Sequence, residues 1–116
     1  MYSVTEQFIA WLAAQGYAAH TYPPADAPAE FVTVERTGGA MVDVVDHPTI
    51  AIQTWAQSEA RAEELAIAIR DALLTSLPYG CASARVSAGP YPFWDNDTGA
   101  ARFQTVYECT TIAVSD

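Results

Sequence analysis

The stretch Thr49–Leu77 constrains the fold most, because a strand pattern in it runs directly into a helix pattern. Over Thr49–Ala56 successive side chains alternate between two faces, as they do in a β-strand. Ser58 stands where it can cap a helix that begins at Glu59, and Pro78 follows the run as a stop signal. Between them, apolar residues recur at helical spacing and predict one face buried against a sheet. They are Ala62, Leu65, Ala66, Ile69, Leu73 and Leu77.

A second apolar row widens the stripe on this helix. Ala60, Ile67 and Leu74 lie beside the first row and make the apolar face broader than one small sheet usually covers. We therefore predict that these three side chains leave apolar surface for a neighbouring protein.

The N-terminal part predicts one more helix followed by an extended connection. Ser3 and Glu6 form a capping box, and helical spacing over Val4–Gln15 predicts a helix stopped by Gly16. Its buried side chains are expected to be Phe8, Trp11 and Leu12. Tyr17–Glu30 contains three prolines within six positions, which favours an extended path.

Five predicted strands complete the chain. A glycine turn at Thr37–Gly39 and a second turn at Asp46–Pro48 separate the first three strands, and Gly89–Gly99 is predicted to be a loop. The order α-β-β-β-α-β-β predicts a single α+β domain over residues 1–116. Its sheet is mainly antiparallel or mixed, with two helices packed on one face. The strands are Phe31–Arg36, Ala40–Val45, Thr49–Ala56, Cys81–Ala88 and Ala101–Val114.

The last predicted strand changes the parity of its apolar residues. Phe103, Tyr107 and Cys109 share one face, whereas Ile112 and Val114 fall on the other. This change indicates either a bulge or a strand end that packs on something outside the monomer.

Charge excludes several classes of partner. The chain has 14 carboxylates, five arginines and no lysine, giving a net charge of −9. Such a surface repels phosphate, which argues against a nucleic-acid-binding module and against an anionic membrane as partner. No apolar run approaches the roughly 20 residues that span a bilayer, and the N-terminus does not resemble a secretion signal. We expect a protein made in the cytoplasm.

Short motifs offer little chemistry. Asp97-Thr98-Gly99 matches the aspartic protease signature, but in a polar context and without a second copy in the chain. A calcium loop beginning at Asp95 would need glutamate where Val106 stands. His47 beside Asp46 lacks a nearby nucleophile, and Cys81 and Cys109 lack metal-site spacing, which predicts two buried thiols. We expect no enzyme activity, no catalytic residue, no cofactor and no metal.

The most unusual stretch is the aromatic group at Tyr91, Phe93 and Trp94. Two prolines stiffen it, and its side chains would expose much apolar area in water. Either the group folds back over the sheet edge as a local cap, or it anchors a partner subunit, since such residues dominate binding hot spots.

From Phe31 onward the chain resembles the tail terminator (tail completion) proteins of long-tailed bacteriophages, of the lambda type. The resemblance depends on the order and spacing of several stretches, with an acidic loop before the last of them. They are VTVERTGG at Val32–Gly39, Pro48, IAIQTWA at Ile50–Ala56, Ser58, Ala62, LAIAIRDALL at Leu65–Leu74 and ARFQ at Ala101–Gln104.

The resemblance implies a structural virion protein with a mixed α/β subunit. Six subunits would form a ring at the head-proximal end of the tail, assembled in the host cytoplasm. The ring would end tube polymerisation and offer the surface that joins the head. Its partners would be its own copies, the tail tube protein and a head completion or connector protein, with DNA passing through the lumen without specific binding.

A closed ring joins two different patches of each subunit, and the helix row and the aromatic group are our candidates for them. Acidic side chains in turns or at strand edges are candidates for a DNA-repelling lumen. These are Asp43, Asp46, Asp95 and Asp97. Two alternatives remain: another minor tail or head–tail connector protein, and a small monomeric protein-binding module.

Overall fold

The computed structural model describes residues 2–112, which fold into a five-stranded mixed sheet and two helices. The predicted α+β class and the predicted order of elements are confirmed. The elements are α1 (Val4–Ala14), β1 (Ala19–His20), β2 (Phe31–Val42), β3 (Val45–Ala56), α2 (Glu59–Ala72), β4 (Cys81–Pro92) and β5 (Ala101–Ile112).

The strands lie in the order β1-β2-β3-β5-β4. β1 pairs in parallel with β2, and all other neighbours are antiparallel. Because β1 pairs with only Val32 and Thr33, most of β2 forms one edge of the sheet, and β4 forms the other.

Both helices pack on one face of the sheet, as predicted. Phe8 and Leu12 of α1 and Ile69 of α2 are essentially inaccessible to solvent. They meet the strand side chains that alternate toward them, including Val32, Val34, Ile50, Ile52 and Tyr107. Each fully buried side chain of this size contributes about 1.5–3 kcal/mol, so this layer supplies most of the stabilisation.

The caps of both helices follow the sequence. The Ser3 hydroxyl accepts a hydrogen bond from the Glu6 amide, and Ser58 accepts one from the Arg61 amide. α1 stops before Gly16, whose φ of +100° is left-handed. α2 ends at Ala72, earlier than the Pro78 stop, because the amides of Leu74 and Thr75 bond to carbonyls three residues back instead of four.

The position predicted for the first hairpin turn is wrong. β2 continues through Thr37–Gly39 to Val42, and the chain reverses at Asp43 and Val44. The glycines instead accommodate a register shift between Arg36 and Gly38, with φ of +97° at Gly39. A glycine pair serves a bulge as well as a turn, so local sequence did not separate the two. Asp46–Pro48, predicted to be a turn, lies inside β3.

Two strand ends also differ from the prediction. β4 extends to Pro92, so the loop begins at Phe93 and not at Gly89 as predicted. Register shifts between Val86 and Tyr91 accommodate extra residues of β4 and let its pairing with β5 continue. β5 alternates regularly to Ile112, so the first of the two alternatives for this strand, a bulge, is wrong, and Val114 lies outside the described residues.

Candidate functional site

The sheet surface opposite the helices, called the outer face below, carries a continuous row of hydrogen-bonded polar side chains. Thr33, Gln53, Gln104 and Tyr91 are successive cross-strand neighbours on β2, β3, β5 and β4. The Thr33 hydroxyl donates to Gln53 Oε1 at 2.7 Å, and Gln53 Nε2 donates to Gln104 Oε1 at 2.6 Å. Gln104 in turn donates to the Tyr91 hydroxyl, and Trp55 Nε1 donates to Thr33 at the start. The row fixes these side chains without help from a helix.

An aromatic stack holds Arg102 at one end of the outer face. Phe31 and Trp55 stack with ring centroids 5.1 Å apart. The Arg102 guanidinium lies 4.6 Å from the Trp55 ring and 4.4 Å from the Phe93 ring, and its Nε donates to the Phe93 carbonyl at 2.7 Å. Arg102 is only partly buried, so each of these cation–π contacts is worth about 0.5–1 kcal/mol.

The structure divides the predicted aromatic group. Tyr91 and Phe93 fold back onto the outer face, as the local-cap alternative expected, and their rings meet edge to face at 6.3 Å. Trp94 remains 53% exposed and Phe93 40%. Trp94 is therefore the member of the group best placed to contact a partner.

A hollow of about 210 Å³ lies beside this stack. Its floor contains Gln53 and Trp55, and its walls are Tyr22 on one side and Phe93 and Arg102 on the other. The mixed aromatic and amide lining suits one amphipathic side chain.

A larger groove of about 560 Å³ occupies the other end of the outer face. Thr49, Ser83 and Thr110 line it with hydroxyl groups. Arg85 and Glu108, cross-strand neighbours on β4 and β5, form an ion pair within its lining, with side chains 76% and 51% exposed.

An apolar row borders the groove. Val42 pairs with Val45 across the hairpin, and Val45 pairs with Ile112 across the next ladder. Val42 is 60% exposed and Ile112 56%. The sequence reasoning missed this surface. The sequence signal for this row was the change of parity at Ile112. Because β5 has no bulge there, the remaining alternative is that the end of β5 packs on another protein, and that stays a prediction.

The second apolar row of α2 points away from the core, as its spacing predicted. Ala60 is exposed, Ile67 is 36% exposed and Leu74 is 82% exposed. Its role as a contact surface stays a prediction.

The four acidic lumen candidates do not form one cluster. Asp43 lies at the hairpin tip with φ of 56°, and Asp46 nearby forms a bidentate pair with Arg36 at 2.7 and 2.8 Å. This hydrogen-bonded pair lowers the pKa of Asp46. Asp95 and Asp97 lie in the loop before β5, where the Thr98 hydroxyl donates to Asp95 and lowers its pKa.

Two residue pairs singled out in the sequence can be placed in the structure. Asp46 and His47 are consecutive strand residues and point to opposite faces. Cys81 and Cys109 are buried free thiols beneath the helices, and contact with Cys81, together with burial, raises the pKa of Cys109. Among residues 2–112, no three His, Cys, Asp or Glu side chains are grouped so as to hold a metal ion.

Charge is distributed unevenly between the outer face and the rest of the chain. The outer face carries Glu35, Glu108, Arg85 and Arg102, so its formal charge is zero. The net charge of −9 therefore falls on the rest of the chain. Copies of this protein would meet least repulsion across the outer face.

Comparison with known proteins adds no family: no family model matches the chain, and no curated protein does. Within residues 2–112, neither helix has the length and apolar character needed to cross a membrane.

Proposed function

We propose that this protein is a structural virion protein of a long-tailed phage or prophage. It forms a ring that caps the tail tube at its head-proximal end, ends tube polymerisation and provides the surface that joins the head. The proposal is supported by the sequence resemblance from Phe31 onward and by an α+β subunit of the kind which that resemblance implies.

The observation that carries the proposal is the exposure of large apolar side chains at well-separated places. Trp94 follows the end of β4, Leu74 follows the end of α2, and Val42 lies next to the hairpin tip. A ring subunit on a tube needs several distinct contacts: two for its neighbours and others for the tube and the head. Separated apolar patches are what such a subunit must present before assembly.

The test is tube capping, observed by electron microscopy. Purified protein is added to phage tail tubes, followed by excess tube subunits. We expect a ring at one end of each tube and no further elongation at that end. Tubes that lengthen equally with and without the protein contradict the proposal.

A matched pair of variants asks whether the α2 row takes part. Ile67→Ser with Leu74→Ser removes the exposed apolar row, whereas Tyr79→Ser removes a side chain that is 62% exposed outside it. If the row contacts the tube or the head protein, the double variant loses capping or head joining and Tyr79→Ser retains both. Equal activity of the two variants removes the row from the proposal.

The same assay separates the alternatives. A different connector or minor tail protein binds the head vertex or another tail component without arresting the tube. A monomeric binding module binds one protein partner and neither forms rings nor caps tubes.

The lumen hypothesis needs its own variants, because Asp46 is already neutralised by Arg36. Asp43→Lys with Asp97→Lys reverses two exposed charges in turns and leaves that ion pair intact. If these carboxylates keep DNA mobile, the variant rings retain DNA and infectivity falls while capping persists. Unchanged infectivity would show that these carboxylates do not line the channel.

A further inference from the structure

Building on the proposed ring, we propose that Trp94 of one copy docks into the groove and onto the apolar row of the outer face of the next copy. The receiving surface consists of Val42, Val45 and Ile112 together with the groove lined by Thr49, Ser83 and Thr110. The contact thus uses the outer face, whereas the α2 row is left for other partners.

Distance makes the contact intermolecular. Pro92, just before the aromatic residues, pairs with Phe103, whereas the apolar row ends on Ile112 of the same strand. The Trp94 carbonyl lies beside Arg102, and the nearest groove residue on the same strand is Glu108. Six residues of extended strand span about 20 Å and the nine to Ile112 about 30 Å, which is farther than an indole side chain reaches, so Trp94 does not enter the groove of its own subunit. The two features therefore lie at opposite ends of β5, Trp94 beside Arg102 and the apolar row at Ile112. The contact therefore joins the Trp94 end of one copy to the hairpin end of the next. It uses two different patches, as ring closure requires.

The two surfaces fit in chemistry. Trp94 has more than half of its surface exposed, and an indole is an amphipathic anchor that suits a pocket with apolar and hydroxyl lining. Val42 and Ile112 offer apolar contact, while the hydroxyl groups of Ser83 and Thr110 offer acceptors for the indole N–H. The groove of about 560 Å³ is large enough for one such side chain.

Charge favours a second copy as the occupant. The protein carries −9, so most approaches between copies bring like charges together. The outer face has no net charge, and Arg85 and Glu108 neutralise each other in the groove itself. The acidic loop that follows Trp94, with Asp95 and Asp97, meets a compensated ion pair in the groove itself. Asp43 at the hairpin tip is the exposed carboxylate next to Val42, so the loop must approach from the β4 and β5 side of the receiving surface.

The experiment uses one variant for each half of the contact. Trp94→Ala removes the inserted side chain, and Val42→Asp with Ile112→Asp places two charges on the receiving row. All three positions are more than half exposed, so the fold is expected to tolerate the changes. Leu74→Asp is the matched control, because it charges an exposed apolar position on the helix side.

Size-exclusion chromatography with light scattering gives the masses. We expect the wild type and Leu74→Asp to assemble and each of the other two variants to run as a 12.5 kDa monomer. Mixing those two variants in equal amounts restores one competent contact per pair. The mixture then forms a dimer of twice the chain mass and nothing larger, which is the signature of a contact between unlike patches.

Several results overturn the inference. Three of them concern the variants: assembly by both Trp94→Ala and the Val42→Asp, Ile112→Asp double variant, loss of assembly by Leu74→Asp, and failure of the mixture to form the dimer. The fourth is a wild type that stays monomeric at about 1 mM, where even a contact of millimolar affinity is half formed. Rings that persist in the two variants and still cap tubes would refute this contact while leaving the proposed function standing. If the mixed variants form the dimer but the wild-type protein does not cap tubes, the contact is supported and the proposed function is refuted.

Discussion

Replacing Gly39 by alanine gives a sharp test of the hairpin, because the adjacent Gly38 provides a matched control. Gly39 has φ of +97°, and a Cβ there would lie 2.0 Å from the carbonyl oxygen of His47 and 2.7 Å from the Cα of Pro48. Both atoms belong to the backbone of the paired strand, so no side chain can rotate to make room. A Cβ on Gly38 would meet nothing within 4 Å, and its φ is not positive.

The expected cost has two parts. A left-handed backbone costs an L-residue about 1–2 kcal/mol, and forcing an atom into occupied space costs about 1–3 kcal/mol more. Gly39→Ala should therefore lower the free energy of unfolding by about 2–5 kcal/mol. At about 4 °C for each kcal/mol in a domain of this size, Tm should fall by roughly 8–20 °C. Gly38→Ala should change stability by less than about 1 kcal/mol, with a gain from reduced freedom of the unfolded chain.

Urea denaturation of the two variants, with thermal melts as a check, measures the difference. If the two glycines formed the predicted two-residue turn, both would need positive φ and both variants would lose stability together. Equal stability of the two variants would refute the assignment of the bulge. Native-state hydrogen exchange shows whether the loss is confined to the hairpin beyond Arg36 or extends to the core.

Three further predictions concern the pH response, the polar row and the core. The pKa of Asp46 is depressed by its pair with Arg36, so the pair stabilises the fold above the ordinary carboxyl pKa, and this is lost as pH falls through the depressed value. Urea midpoints should show a wild-type advantage over Asp46→Asn of about 1–2 kcal/mol at pH 7 that disappears in strong acid. Gln53→Leu leaves the buried Thr33 hydroxyl without its acceptor and should cost about 1–3 kcal/mol in the same assay, whereas no loss would mean that the row adds nothing to stability. Leu12→Ala opens a cavity under α1 and should cost about 2–5 kcal/mol by thermal melting, and a cost below about 1 kcal/mol would contradict the packing of α1 on the sheet.

Sequence patterns predicted the elements whose signals are local. The Ser58 cap and the apolar spacing after it located α2, and the alternation around Ile52 and Gln53 assigned the two faces of β3 correctly. The helical spacing of Phe8 and Leu12 did the same for α1. These predictions succeed because the spacing of apolar residues within a short segment depends only on the local backbone conformation and on which face is buried.

The failures occurred where the deciding contact lies far along the chain. The sequence around Gly39 predicts a turn unless one knows that Pro48 of β3 is paired with it. β1 is only two residues long and forms through its pairing with β2 at Val32 and Thr33. The outer-face groove was invisible for the same reason, since its lining comes from four different strands. Ile112 did carry a local signal, although its meaning depended on the register with Val45.

The polar row has a direction, and that direction ends at an open boundary of the sheet. Each member donates a hydrogen bond to the next, from the indole N–H of Trp55 to the phenol of Tyr91, which only accepts among the described residues. The phenolic hydrogen of Tyr91 is thus left for an acceptor outside the row, on the terminal strand β4. A protein that packed over Tyr91 and excluded water would leave that hydrogen unsatisfied unless it brought an oxygen acceptor, and Tyr91→Phe would remove this cost.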